Sequence, residues 1–92
     1  MATRIKPYML PDPLPAPGSG TVTIPQGAVY LSLGMQYGRP VIFAKVNTLA
    51  TPDAMHWWTF PTDDNFTPPE GSVFFGSIPL NGGTSFAHLY LR

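Results

Sequence analysis

Apolar residues recur at every second position in several short stretches of this chain, and Pro or Gly interrupts each stretch before a helical period can develop. In residues 28–36, Val29, Leu31, Leu33 and Met35 alternate with Tyr30, Ser32, Gly34 and Gln36, which predicts a strand whose first set faces the core. Residues 40–47 follow across Tyr37-Gly38-Arg39, an aromatic-Gly pair between two apolar runs that predicts a tight hairpin. On this second strand Ile42, Ala44 and Val46 make the more apolar face, and Val41, Phe43 and Lys45 share the other. Residues 55–60 place His56, Trp58 and Phe60 on one side and Met55, Trp57 and Thr59 on the other, so both faces are apolar enough to be covered. Residues 84–91 set Phe86, His88 and Tyr90 against Ala87, Leu89 and Leu91.

The remaining segments are shorter or more heavily punctuated. Residues 5–10 predict an edge strand, because Pro7 is tolerated at a sheet edge and not in its middle. Residues 11–20 hold four Pro and two Gly and predict an extended loop or arm. Residues 21–24 are short and β-branched, and Pro-Gln-Gly at 25–27 supplies a turn after them. Residues 48–53 and 61–71 predict loops, the second being the longest polar excursion. Residues 72–80 form a strand joined to the last one by Asn81-Gly82-Gly83, three residues that accept positive φ and mark a hairpin. The fold class expected is all-β: one small domain, a barrel or a sandwich of six to seven short, mainly antiparallel strands, with 1–20 as strand and Pro-rich arm and 21–92 as the β core.

Composition narrows the functional classes. A domain of 92 residues buries only about 60–65% of its unfolded surface, and without Cys it has no disulfide to compensate, so oligomerisation is the expected substitute. Five basic residues, Arg4, Lys6, Arg39, Lys45 and Arg92, balance five acidic ones, which argues against a surface that tracks double-stranded DNA and leaves room for a small anion. Charged residues are 11% of the chain, far below the usual ~25%, while aromatics reach 13%. A surface this poor in charge is expected to meet another protein. The first residues lack a signal-peptide core and no apolar run approaches the ~20 residues of a membrane helix, so the expected location is cytoplasmic, with no membrane partner.

No arrangement of residues in the sequence spells out catalysis or a metal centre. His56 and His88 are the only histidines, and their spacing from Asp53 or Asp64 does not match a zinc site. Ser72, Ser77 and Ser85 lie near His88 along the chain, but no Gly-x-Ser-x-Gly elbow is present. Asp63-Asp64 fits a solvated loop, and Asn81-Gly82-Gly83 lacks the helix and Lys of a phosphate cradle. No enzyme activity, metal or cofactor is expected. Trp57 and Trp58 carry more information: adjacent rings on one strand point to opposite faces, so one is core and the other lies in a subunit interface or stacks on a ligand, and the alternation leaves open which is which. Tyr37 and Arg39 at the hairpin tip, with Lys45 beyond, offer stacking and phosphate pairing for a nucleotide.

The runs Gly27-Ala28-Val29-Tyr30-Leu31-Ser32-Leu33, Gln36-Tyr37-Gly38-Arg39-Pro40 and Phe75-Gly76-Ser77-Ile78-Pro79-Leu80-Asn81-Gly82-Gly83, with Phe86-Ala87-His88-Leu89, resemble a family of small bacteriophage-encoded all-β proteins. The resemblance spans residues 5–91 and departs from the family pattern at Pro61-Thr62-Asp63-Asp64 and in a longer loop at 47–54. It implies a non-enzymatic phage accessory protein of the host cytoplasm, similar to oligomeric sponges that bind and sequester a cyclic nucleotide immune signal. On that reading Tyr37 and one of Trp57 and Trp58 stack on the bases of a cyclic dinucleotide, while Arg39 and Lys45 neutralise its phosphates in a pocket shared by subunits of a homo-oligomer. The alternative is a protein–protein interaction module that inhibits a host enzyme, or a minor virion component.

Overall fold

Seven strands follow the predicted punctuation in a computed structural model that describes residues 2–92: β1 (Thr3–Met9), β2 (Gly18–Pro25), β3 (Val29–Gln36), β4 (Arg39–Asn47), β5 (Pro52–Pro61), β6 (Val73–Leu80) and β7 (Ser85–Leu91). They form two antiparallel sheets, β1-β4-β3 and β2-β5-β7-β6, which face each other without closing. Of the two architectures expected, the fold is the sandwich. The β3–β4 turn has positive φ at both Tyr37 (52°) and Gly38 (75°), the geometry that matches strand twist in a two-residue hairpin. A single 3-10 turn at Asn81–Gly83 joins β6 to β7. β1 pairs with β4 alone, so Pro7 does sit on an edge strand.

The core is filled by the alternating residues of three strands: Ile42, Ala44 and Val46 from β4, Met55 and Trp57 from β5, and Ala87, Leu89 and Leu91 from β7, with Ile24 and Ile78 added by their neighbours. β3 departs from its predicted pattern. Val29, Leu31 and Met35 are 50%, 47% and 53% exposed, and only Leu33 of that set packs against the core, together with Tyr30. The cause at Val29 and Leu31 is a β-bulge: Tyr30 pairs with Ala44 and Ser32 with Phe43, which leaves Leu31 as an extra residue and shifts the inward positions from Tyr30 to Leu33. Met35, on the core side opposite buried Pro40, is exposed near the end of the strand. A second bulge between Phe74 and Gly76 does the same in β6, and it lets Phe75 turn inward to meet Tyr30 edge-on at 6.2 Å.

Two loops begin or behave differently from the sequence expectation. The Pro-rich arm is structural: Leu10 and Leu14 are buried in the core cluster, Ala16 packs against it, and β2 starts at Gly18. Thr59, a buried polar residue of β5, donates its hydroxyl to the Pro15 carbonyl and also lies 3.4 Å from the Gly18 carbonyl, which ties the arm to the sheet and satisfies a group that would otherwise be costly to bury. The loop expected over 48–53 is shorter, because β5 begins at Pro52 opposite Pro25 and the Gln26 N–H donates to the Thr51 carbonyl at 2.9 Å.

Candidate functional site

With Met55, Trp57 and Thr59 turned inward, the other half of β5 is displayed on the outer face of the four-stranded sheet, and the strand registers fix what lies beside it. One row crosses the sheet as Ser19, Trp58, Tyr90 and Phe74; the next as Phe60, His88 and Ser77. Above Trp58 the backbones of His56 and Arg92 exchange two hydrogen bonds of 2.9 Å, which brings both side chains to the Trp58 ring. The His56 ring lies 6.1 Å from it at an interplanar angle of 20°, and the Arg92 guanidinium carbon sits 5.3 Å from the ring centroid, a cation–π distance. Arg92 is held there by donating from Nη1 to the Glu70 carbonyl at 2.7 Å.

A cluster of rings continues the face. Phe66, from the loop after β5, folds back to stack on Phe60 at 4.0 Å and 11°, and Tyr90 meets Phe60, Phe66 and Phe74 edge-on at 5.5 to 5.7 Å. Such offset and edge contacts suit the ring quadrupoles and fix the rings in place. Beside them His88 is held at both nitrogens: Nδ1 lies 2.6 Å from the Ser77 hydroxyl and Nε2 lies 2.7 Å from the Thr62 hydroxyl. Each hydroxyl can both donate and accept a hydrogen bond, so the pair can satisfy both ring nitrogens of His88 in either tautomer. The Ser77–His88 pair has the contact of a nucleophile and base, and the second nitrogen of His88 meets the Thr62 hydroxyl. The trio joins β6, β7 and the loop carrying Phe66. Among the described residues no three His, Cys, Asp or Glu side chains converge as metal ligands.

The five residues singled out in the sequence fall in five different places. Trp57 is 2% exposed and belongs to the core; Trp58 is the outward ring. Tyr37 is 91% exposed at the β3–β4 tip. Arg39 is half-buried at the start of β4, where Nη2 donates to the Leu10 carbonyl at 3.2 Å and buried Nε has no hydrogen-bond partner among the described residues. Lys45 is exposed on the outer face of the opposite sheet, between Ile5 and Val29. One chain thus separates Trp58 from Arg39 and Lys45 by the thickness of the sandwich. Arg92 joins the outward rings with no sequence signal, and so do His56, His88 and Ser77, which the sequence offered only as zinc-site or hydrolase candidates, although the hairpin register contains a signal for one pair. Counting outward from the Asn81-Gly82-Gly83 turn, Leu80 faces Ser85 and Ser77 faces His88. No protein-family model, curated protein or solved structure matches the chain, so the chemistry of this face rests on its own residues.

Proposed function

We propose that this protein is a non-enzymatic binding module of phage origin that captures a planar, anionic host signal of the cyclic dinucleotide class, and that it works in the host cytoplasm as a homo-oligomer. The observation that carries the reading is the Arg92 guanidinium held over the Trp58 ring at 5.3 Å, on a sheet face whose outward strand positions include no Asp or Glu. A nucleobase gains stacking energy from a half-buried, outward-facing indole, and a phosphate gains a charge-assisted hydrogen bond from the adjacent guanidinium. The second phosphate of a cyclic dinucleotide asks for a second cation. Within one chain Arg39 and Lys45 are too far from Trp58 to supply it, and a site completed by a neighbouring copy brings them within reach.

The test is a thermal-shift screen of the purified protein against cyclic di- and trinucleotides, run beside light scattering for mass in solution. Selective binding to the folded protein raises its melting temperature by mass action. The expected result is a shift with one cyclic nucleotide, lost in Trp58→Ala and in Arg92→Ala, in a protein larger than a monomer. No shift with any nucleotide overturns the reading.

A second reading is favoured by a different surface. The outer face of β1-β4-β3 exposes Ile5, Met9, Val29 and Leu31 around Lys45. Contiguous apolar surface of this kind marks protein–protein contact sites, as in an inhibitor of a host enzyme or a minor virion component. Co-purification of one host polypeptide, abolished by Leu31→Asp, distinguishes this reading from the first.

A further inference from the structure

At the end of the sandwich away from the β4–β5 loop, the arm after β1, the β3–β4 turn and the β6–β7 turn enclose a cleft of about 530 Å³. That volume falls within the range of small-molecule sites, roughly 300–1,000 Å³. Its floor is built from Leu14, Pro40 and Ile78, all buried, and its walls include Met35 and Phe86, both exposed. Four prolines, Pro13, Pro40, Pro61 and Pro79, line it. Each fixes its own φ and brings a carbonyl with no N–H, so that part of the lining is stiff and offers no donor, while the two turns contribute Gly38, Asn81, Gly82 and Ser85. Asp12 is the one charged residue on the lining, and no Lys, Arg or His accompanies it.

We infer that this cleft is a second binding site, for a small organic cation: an ammonium or guanidinium group on an apolar, preferably aromatic body. Apolar walls take the body. The Asp12 carboxylate pairs with the cationic head, and lining carbonyls accept its remaining protons. An anion meets the Asp12 carboxylate with no Lys, Arg or His on the lining to offset it, so the nucleotide proposed for the outer face is disfavoured here. The two sites have opposite charge preference and fail or succeed separately.

Benzylamine, benzyl alcohol and phenylacetate share a ring and differ in charge, and they probe the cleft in amide-resolved NMR titrations of the full chain. Saturable benzylamine shifts at Gly38, Gly82 and Ser85, with phenylacetate producing none, are the expected result. Asp12→Asn should weaken benzylamine several-fold and bring it level with benzyl alcohol. Met35→Lys, at an exposed wall position, should expel benzylamine and admit phenylacetate. Equal affinity for all three probes, or shifts confined to residues outside the cleft, overturns the inference. Both substitutions fall on exposed side chains, and an unchanged dispersion of the amide spectrum verifies that each variant is folded.

Discussion

Trp57 and Trp58 are covalent neighbours that meet opposite environments: the Trp57 ring is sealed between the sheets against Gly20, and the Trp58 ring lies on the outer surface beneath the Arg92 guanidinium. The two indoles therefore have separable roles. Trp57→Ala should cost about 3–5 kcal/mol, a large part of the total stability of a domain this size. Trp58→Ala should cost about 1 kcal/mol or less, mostly the cation–π contact. Urea titrations measure both. Acrylamide quenching of the single-Trp variants Trp57→Phe and Trp58→Phe checks the assignment independently, since the indole left in Trp57→Phe must be the accessible one.

Gly20 pairs with Trp57 across β2 and β5, and a Cβ added there would lie 2.8 Å from the indole ring. A buried ring has nowhere to retreat. Gly20→Ala should destabilise by about 1–3 kcal/mol, as overpacking does. If the clash with the indole is the cause, the same substitution costs less in a Trp57→Phe background, and a double-mutant cycle reads the coupling directly. Equal costs in the two backgrounds would place the penalty in the backbone instead.

The sandwich was legible where period-two alternation runs unbroken. β5 and β7 keep the predicted alternation because no bulge interrupts their pairing, although the sequence left open which set faces the core. β3 was misread because Leu31 is a bulge residue, and one inserted residue inverts a pattern that is locally perfect; nothing in Val29-Tyr30-Leu31-Ser32 marks the place. The arm was misread for a different reason. Pro and Gly predict irregular backbone, which is correct for residues 11–17, but they say nothing of whether Leu10 and Leu14 within or beside it reach the core. Of the outer face, the division of the tryptophans was foreseeable and their assignment was not, since both faces of β5 are apolar. The approach of Arg92 to Trp58 depends on the last residue of the chain pairing with His56, a contact between strands far apart in sequence that no local pattern announces.

The arm should behave as core in stability measurements. Leu14 is buried and belongs to the central cluster, and the Thr59 hydroxyl holds the neighbouring Pro15 carbonyl. Leu14→Ala is expected to cost about 2–5 kcal/mol. Thr59→Val keeps the shape of Thr59 and leaves the Pro15 carbonyl without its side-chain partner, for about 1–3 kcal/mol. Chemical denaturation measures each loss, and limited proteolysis should show new cleavage in residues 11–17 of Thr59→Val before the sheets open. A Leu14→Ala variant as stable as the wild type would mean that the arm is a dispensable surface loop.

His88 joins three elements through its two hydrogen bonds, and that latch is separable from packing. Thr62→Val and Ser77→Ala should each cost about 0.5–1.5 kcal/mol, the net worth of an ordinary hydrogen bond. Only Thr62→Val should release the loop that carries Phe66, seen as faster amide exchange at 63–71. In a His88→Phe background both costs should nearly vanish, because the partner is gone.

Alkaline pH should weaken the fold through Tyr30. Burial raises its pKa above the ordinary 10.0, and the negative charge of Asp53 raises it further; burial alone pushes Tyr8 in the same direction. Above pH 10 the unfolded chain gives up the phenolic proton while the folded chain retains it, so the unfolded state holds fewer protons and stability falls as pH rises. The contribution is fully present below the unfolded value and is lost as pH climbs through the folded one. Tyr30→Phe keeps the edge contact with Phe75 and removes the titrating group, so its urea midpoint should decline less steeply between neutral and strongly alkaline solution. Asp53→Asn should produce a smaller flattening of the same sign, because it removes only the second cause. A wild-type midpoint that holds steady through pH 11 would show that Tyr30 ionises as freely in the folded protein as in the unfolded chain, and that its ring is wetter than its place beside Phe75 implies.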